Sequence, residues 1–244
     1  TSPETFSGKS ALCVGLGRQF QRDGLSVGYM KPVSTTARRV AGGLIDEDAE
    51  FMKQIFNLDE PLDILAPVCL EPFCIEAALR EQLDHRCQPE GKSYKDILLA
   101  AFQQVSKGKD IVLLVDLPSY RVCEMLAARA LVVIKYSSDL VADEILGAKK
   151  LLGEHMLGCV INAVPGGRMA FVEETVSPFL ETHGVHVFGA LPQERLLLSV
   201  SVEELAQALG GEILCAESHV DELVENVMVG AMSVDSALSF SGAS

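Results

Sequence analysis

The sequence predicts an α/β fold built on a doubly wound, mostly parallel sheet, and two observations carry that prediction. Strand-like apolar runs recur at 25–30, 111–116, 130–135, 157–162 and 185–190, with helical stretches between them. They are continuous rather than alternating, as strands buried on both faces are. The second observation is Ser7-Gly8-Lys9-Ser10 followed by an apolar helix, the ending of a phosphate-binding loop. In such sheets, ligands sit at the carboxyl ends of the strands, and the loop belongs at that edge.

Taken in order, Gly8 brings backbone N–H groups to a phosphate, Lys9 reaches the outer phosphates and Ser10 supplies a hydroxyl for Mg²⁺. The first glycine of G-x-x-x-x-G-K-[ST] is replaced by Pro3. The strand expected to feed the loop is not in the sequence, so the expectation is a chain that lacks its first strand. Ala11, Leu12, Val14, Leu16, Gly17 and Phe20 then predict a helix stopping near Asp23-Gly24, and residues 25–30 a buried strand.

That strand leads into Lys31-Pro32-Val33-Ser34-Thr35-Thr36, where proline fixes the chain and holds Lys31 toward the phosphates. Gly24-Leu25-Ser26-Val27-Gly28 matches G-x-S-x-G, but a nucleophile elbow needs strand, turn, helix, and here a helix precedes a strand, so Ser26 receives no catalytic role. Asp46-Glu47-Asp48 opens a helix over 49–56. These acids have two readings, as helix-dipole partners and caps, or as Mg²⁺ ligands through Asp46 or Asp48.

The run 111–116 ends in Asp116, placed to close a Mg²⁺ site, and is followed by Leu117-Pro118-Ser119. That turn resembles the Asp-x-Pro of MinD- and ParA-type P-loop ATPases. Helical stripes follow at 138–152 and 169–183. Between them Val160-Ile161-Asn162-Ala163-Val164-Pro165 puts an amide at a strand end, suited to pair with an adenine base. Gly189-Ala190-Leu191-Pro192 repeats the strand-then-proline device and would wall the same pocket with Pro192.

Beyond Pro192 the composition changes. Residues 202–209 predict a helix closed by Gly210-Gly211, 212–215 a strand and 219–227 another helix, before a tail rich in Ser, Gly and Ala. This is the start of a second, small α/β domain, so the division expected is 1–195 and 196–244.

A chain of 244 residues with 48% apolar content can bury one large core. Its net charge of −14, from 34 acidic against 20 basic residues, argues against a nucleic-acid surface. The densest basic pair, Arg38-Arg39, is expected to be solvated or phosphate-facing. No apolar run reaches the ~20 residues of a membrane span. The seven cysteines show no C-x-x-C, so structural zinc is not expected, and Cys13, Cys159 and Cys215 read as buried thiols of a reducing, cytoplasmic protein.

Together these residues resemble the dethiobiotin synthetase family of P-loop proteins. Residues 2–10 stand for that family's G-T-D-T-x-x-G-K-T, Gly28-Tyr29-Met30-Lys31-Pro32-Val33 for its G-x-x-K-P-V, and 160–165 for its V-L-N-x-x-x. The closer likeness is to the dethiobiotin-synthetase-like N-terminal domain of phosphotransacetylase and its stand-alone relatives, in which a DRTGG domain follows. Residues 189–197, 201–206 and 227–233 are similar to that junction. Two departures stand out: Asp116-Leu117-Pro118-Ser119 replaces the synthetases' Glu-Gly-Ala-Gly-Gly loop, and the Gly-Asp-Arg and Thr-Gly-Gly segments of the DRTGG domain are absent.

The resemblance implies a P-loop domain that binds Mg²⁺ and ATP. Thr5, Ser7, Gly8, Lys9, Ser10, Asn162 and Pro192 would hold the nucleotide, and Ser10, Asp48 and Asp116 the metal. Lys9 and Lys31 would be the catalytic lysines. The function expected is a nucleotide-responsive regulatory module; the alternative is an ATP-dependent ligase in which Lys31, with Thr5 and Lys9, holds a small anionic co-substrate. No nucleic acid or membrane partner is expected, and a homodimer is compatible with the reading.

Overall fold

In the computed structural model, the described residues are 7–40, 43–80, 93–116, 120–194 and 199–224. The chain divides into two compact units, Thr1–Pro192 and Gln193–Ser244. In the first, the strands are β1 (Val27–Met30), β2 (Val33–Ser34), β3 (Arg38–Val40), β4 (Gly43–Ile45), β5 (Val68–Cys69), β6 (Ile111–Leu114), β7 (Ala130–Lys135), β8 (Met156–Val164) and β9 (Val187–Pro192). The pairs β1–β6, β2–β5, β7–β8 and β8–β9 are all parallel, and the hairpin β3–β4 is antiparallel. The mixed α/β, mostly parallel architecture is the one predicted. Among the described residues the strands do not form one continuous sheet: β1–β6 and β7–β8–β9 are separate.

Between the strands run α1 (Lys9–Arg22), α2 (Glu47–Phe56), α3 (Leu62–Leu65), α4 (Pro72–Leu79), α5 (Tyr94–Val105), α6 (Tyr120–Met125) and α7 (Val141–Leu152). The stripe over 169–183 forms α8 (Met169–Phe171), a π-helical stretch over Val172–Val176 and α9 (Ser177–Thr182). Local chemistry sets the ends of these helices. Asp46 caps α2 by accepting from Ala49 N, Ser93 caps α5 through Asp96 N, and Asn57 ends α2 in the left-handed region.

Two main cores form around the two sheets. One joins Tyr29 and Met30 of β1 to Met52 and Phe56 of α2, Leu65 of α3 and Leu98 and Val105 of α5. Gly17 lets α1 approach this core closely, since a Cβ there would lie 2.4 Å from the Phe56 ring. The other core joins Val132 and Ile134 of β7 to Cys159 and Ile161 of β8, Ile145 of α7 and Leu180 of α9. A smaller cluster packs Val122, Cys123 and Leu126, in and just after α6, against Ala130.

In the second unit, β10 (Val200–Ser201) precedes α10 (Val202–Leu209), whose bounds are those predicted. Ser201 and Glu204 form a reciprocal capping box and Gly210 closes the helix with φ +60°. Two expectations fail here. Residues 212–215 form no strand, because β10 takes β11 (Leu223–Val224) as its antiparallel partner. For the same reason the helix expected over 219–227 is replaced by a 3₁₀ turn, Glu217–His219, followed by that strand. Tertiary pairing of Leu223 and Val224 has overridden local helix preference. Residues 225–227 and the tail lie outside the described residues.

Cys13 and Cys159 are buried free thiols as predicted, and burial pushes each up to about 12. Cys215 is exposed, a correction that follows from the missing strand around it. Cys74 is disulfide-bonded, which departs from the expectation of a reducing compartment. Arg38 and Arg39 are exposed and ion-paired, to Glu47 and Glu71 respectively, each at 2.6 Å. No described helix is long and apolar enough to cross a membrane.

Candidate functional site

The site lies at the carboxyl ends of β1 and β6. Register explains why: Met30 is opposite Leu114, and Val115 N donates to Met30 O at 3.1 Å, so the next residues, Lys31 and Asp116, emerge side by side. The Lys31 Nζ to Asp116 Oδ2 distance is 3.7 Å. Asp116 has φ +54°, an uncommon conformation for a non-glycine residue that persists where surrounding structure enforces it.

Lys31 is almost wholly buried, its side chain 3% exposed, and it meets more than one carboxylate. Its Nζ lies 2.9 Å from Asp46 Oδ2 and 2.7 Å from Asp48 Oδ2, and donates to Thr36 Oγ1 at 3.4 Å. Burial by itself would pull the ammonium down, yet the hydrogen bonds to Asp48 and Asp46 outweigh it and hold Lys31 above its ordinary value. Asp46 is the converse. Burial would raise it, but hydrogen bonds from Ser34, Lys31 and the Ala49 N–H keep it below the usual carboxylate range. Both groups are therefore charged.

The phosphate loop meets the same cluster. Lys9 Nζ lies 3.4 Å from Asp116 Oδ1, so one carboxylate stands between the ammonium groups of Lys9 and Lys31. Gly8 takes φ +88° at the start of α1, and among the described residues no side chain caps this helix. The first N–H groups of an α-helix have no partner within the helix and suit an anion. Ser10 is in that first turn and exposed, while Ser7 is buried with its Oγ lacking a hydrogen-bond partner among the described residues.

Asn162 reaches the loop from β8. Its Nδ2 donates to Ser7 O at 2.9 Å, and a Cβ on Gly8 would fall 2.2 Å from the same nitrogen. The next residue, Ala163, has φ +55° at a register shift between β8 and β9. Pro192 ends β9 opposite Val164, two residues beyond Asn162, and is exposed. Thr5 and the Leu117-Pro118-Ser119 turn lie outside the described residues.

Of the residues predicted, the structure brings together Lys9, Lys31, Asp48 and Asp116 as one charged cluster, with Ser10 at the same helix start and Ser7, Gly8 and Asn162 as its neighbour. Asp46 is the cap of α2 and a buried partner of Lys31, whereas Asp48 is 48% exposed and Asp116 37% exposed. Sequence reasoning missed Ser34, wholly buried and donating to Asp46, and Thr36. The signal was available, since three hydroxyl residues in a row follow Lys-Pro-Val. Ser26 ties the starts of β1 and β6 together, its hydroxyl and its backbone N–H both donating to Asp110 Oδ2. Among the described residues no group of His, Cys, Asp and Glu forms a metal cluster of its own.

Comparison with known proteins agrees with this geometry. Over 121 residues the chain is 31% identical to the ATP-dependent dethiobiotin synthetase of Aromatoleum aromaticum, covering 49% of this chain and 50% of that protein. It is 34% identical over 71 residues to the protein of the same name from Methanocaldococcus jannaschii, covering 29% of each. The chain thus matches half the length, or less, of these curated relatives. Residues 1–201 match the AAA domain family AAA_26, and with that coverage, the strand-end geometry and the likeness to dethiobiotin synthetases, the chain belongs to that family as a dethiobiotin-synthetase-like P-loop domain.

Proposed function

We propose that the first unit is an ATP-dependent ligase domain of the dethiobiotin synthetase type, which activates a small anionic co-substrate with the γ-phosphate of ATP. The observation that carries the reading is the placement of Lys9 and Lys31 on one carboxylate, Asp116, at 3.4 Å and 3.7 Å. A phosphate at Lys9 and an anion at Lys31 would then lie side by side, the proximity that phosphoryl transfer requires.

The donor set fits a magnesium ion. Ser10 offers an exposed hydroxyl, Asp48 and Asp116 offer part-exposed carboxylates, and Mg²⁺ favours one or two carboxylates together with phosphate oxygens and water. When bound, the metal would neutralise charge on the phosphates. The chain's own residues do the remaining work. The first turn of α1 with Gly8 cradles phosphate, Ser7 Oγ supplies a further donor, Lys9 screens the outer phosphates, and Asn162 with Pro192 borders the base. Lys31, held charged by Asp46, receives the carboxylate or carbamate.

The test is ADP release with ATP and Mg²⁺ against a panel of diamines and carboxylic acids with bicarbonate, dethiobiotin precursors included. Turnover with one member, abolished by Lys9→Ala, is the expected result. A flat panel together with intact Mg-ATP binding by calorimetry overturns the ligase.

One observation favours a second reading, a nucleotide-responsive regulatory module related to the N-terminal part of phosphotransacetylase. A second compact unit, Gln193–Ser244, follows the P-loop domain directly. On that reading, nucleotide would alter a partner activity by the modest factor typical of linkage, about 5- to 150-fold. The readout is that activity with and without Mg-ATP, in wild type and in Lys9→Ala.

A further inference from the structure

Tyr29 is a buried group that the site described above leaves unused. It stands two residues before Lys31 on β1 and is 0% exposed, and its hydroxyl has no hydrogen-bond partner among the described residues. An unpaired buried hydroxyl is destabilising, and phenylalanine would fill the same space without it. The ring packs near Phe56 of α2, the centroids 6.4 Å apart, in the core that also holds Cys13 and Met52.

The groups that act on the hydroxyl show which way it faces. Burial first, then the Cys13 sulfur and the carboxylates of Asp46, Asp48 and Asp116, push the phenol well above its ordinary value, so it keeps its proton. Cys13 lies one turn beyond Lys9 on α1, and the three acids are those that meet Lys9 and Lys31. The hydroxyl is thus a neutral donor beneath the charged cluster.

We infer that Tyr29 is a positioning residue of the magnesium–nucleotide site, whose hydroxyl donates to the Asp116 carboxylate, directly or through one water, once phosphate draws Lys9 away. The other two acids are already engaged. Asp46 Oδ1 accepts from Ala49 N and its Oδ2 from Ser34 and Lys31, while Asp48 Oδ2 lies 2.7 Å from Lys31. Asp116 is held by longer contacts, 3.4 Å to Lys9 and 3.7 Å to Lys31, and it follows the strand whose Leu113 is opposite Tyr29. When Lys9 turns to a phosphate, Asp116 loses one of these donors. A phenol replaces it without adding positive charge, so the carboxylate stays fixed and the approach of Mg²⁺ is not opposed as it would be by a further ammonium. The inference rests on the nucleotide binding proposed above and not on ligation.

Tyr29→Phe in the full chain removes the hydroxyl and keeps the ring. Without ligand the variant should melt at the wild-type temperature or above it, because a buried unpaired group is gone. Its Kd for Mg-ATP by calorimetry should be weaker by at least about tenfold, the size of one hydrogen bond to a charged group. In an Asp116→Gly background, where glycine accepts the φ of +54°, the same substitution should change Kd by less than about twofold, since the acceptor is absent. The chain has four tyrosines and no tryptophan, so a spectroscopic signature is also accessible. Adding Mg-ATP, with nucleotide balanced in the reference beam, should shift the near-ultraviolet tyrosine band to the red in wild type and not in Tyr29→Phe. A lowered melting temperature with unchanged Kd makes Tyr29 a packing residue and overturns the inference, as does an equal loss of affinity with and without the Asp116 carboxylate. A wild type that binds no Mg-ATP overturns the nucleotide reading and this inference with it, whereas normal wild-type binding beside an unaltered variant overturns this inference alone.

Discussion

Lys31 and Asp46 form an ion pair at 2.9 Å with side chains 3% and 0% exposed, and the pair joins the end of β1 to the cap of α2. Breaking a buried pair from one side leaves a stranded charge, which costs about 3–5 kcal/mol. Lys31→Met should therefore destabilise the protein by roughly that amount in urea unfolding. The double variant Lys31→Met with Asp46→Asn should recover most of it, since Asn still caps a helix. Additive losses in the double variant would show that the pair is not the source. Ligation, if Lys31 holds the co-substrate, stays absent in both variants.

The same pair sets a pH window. Asp46 is depressed in the folded state, so its contribution is complete above the unfolded value of about 3.9 and is lost as pH falls through the folded one. Lys31 is raised, so its contribution is complete below about 10.4 and is lost as pH rises through the folded value. The difference in unfolding free energy between wild type and the double variant should be flat through neutrality and shrink at both extremes. A difference that changes between pH 6 and 8 would implicate another group.

Much of this site was legible in sequence because parallel strands bring their carboxyl ends together. Lys31 after β1 and Asp116 after β6 needed only correct strand ends to become neighbours. What pattern could not supply was the buried side of the cluster. Nothing in Asp46-Glu47-Asp48 says that the first acid turns inward to Ser34 and Lys31 while the third stays part exposed, because that depends on the angle at which α2 meets β2. The misread strand at 212–215 has a similar cause: the partner of β10 is Leu223–Val224, a pairing that local sequence pattern does not single out.

Gly8 is constrained twice, by φ +88° and by Asn162 Nδ2 at 2.2 Å from where a Cβ would stand. Gly8→Ala should cost about 1–3 kcal/mol through backbone strain and the displaced amide, and should weaken nucleotide binding. Adding Asn162→Ala removes the contact but leaves φ, so stability should return only in part. Full recovery would mean that the side-chain contact alone was limiting. Calorimetry with Mg-ATP on the single and double variants reads the binding arm.

Asp116 gives the sharpest test because its two roles have opposite signs. Without metal, its carboxylate pairs with Lys9 and Lys31 and competes with any anion for those ammonium groups. Asp116→Asn keeps the shape and tolerates the left-handed φ of +54°, while removing the charge. Part-exposed ion pairs are worth about 0.2–1 kcal/mol, so ATP affinity measured in EDTA should rise by up to about fivefold. With magnesium present the sign reverses: if Asp116 helps hold the ion, the gain that magnesium brings to wild type should shrink or vanish in the variant. Weaker binding without metal would show that Asp116 positions the two lysines instead of competing for them. An unchanged magnesium effect would remove Asp116 from the metal site and leave Ser10 and Asp48 to hold it.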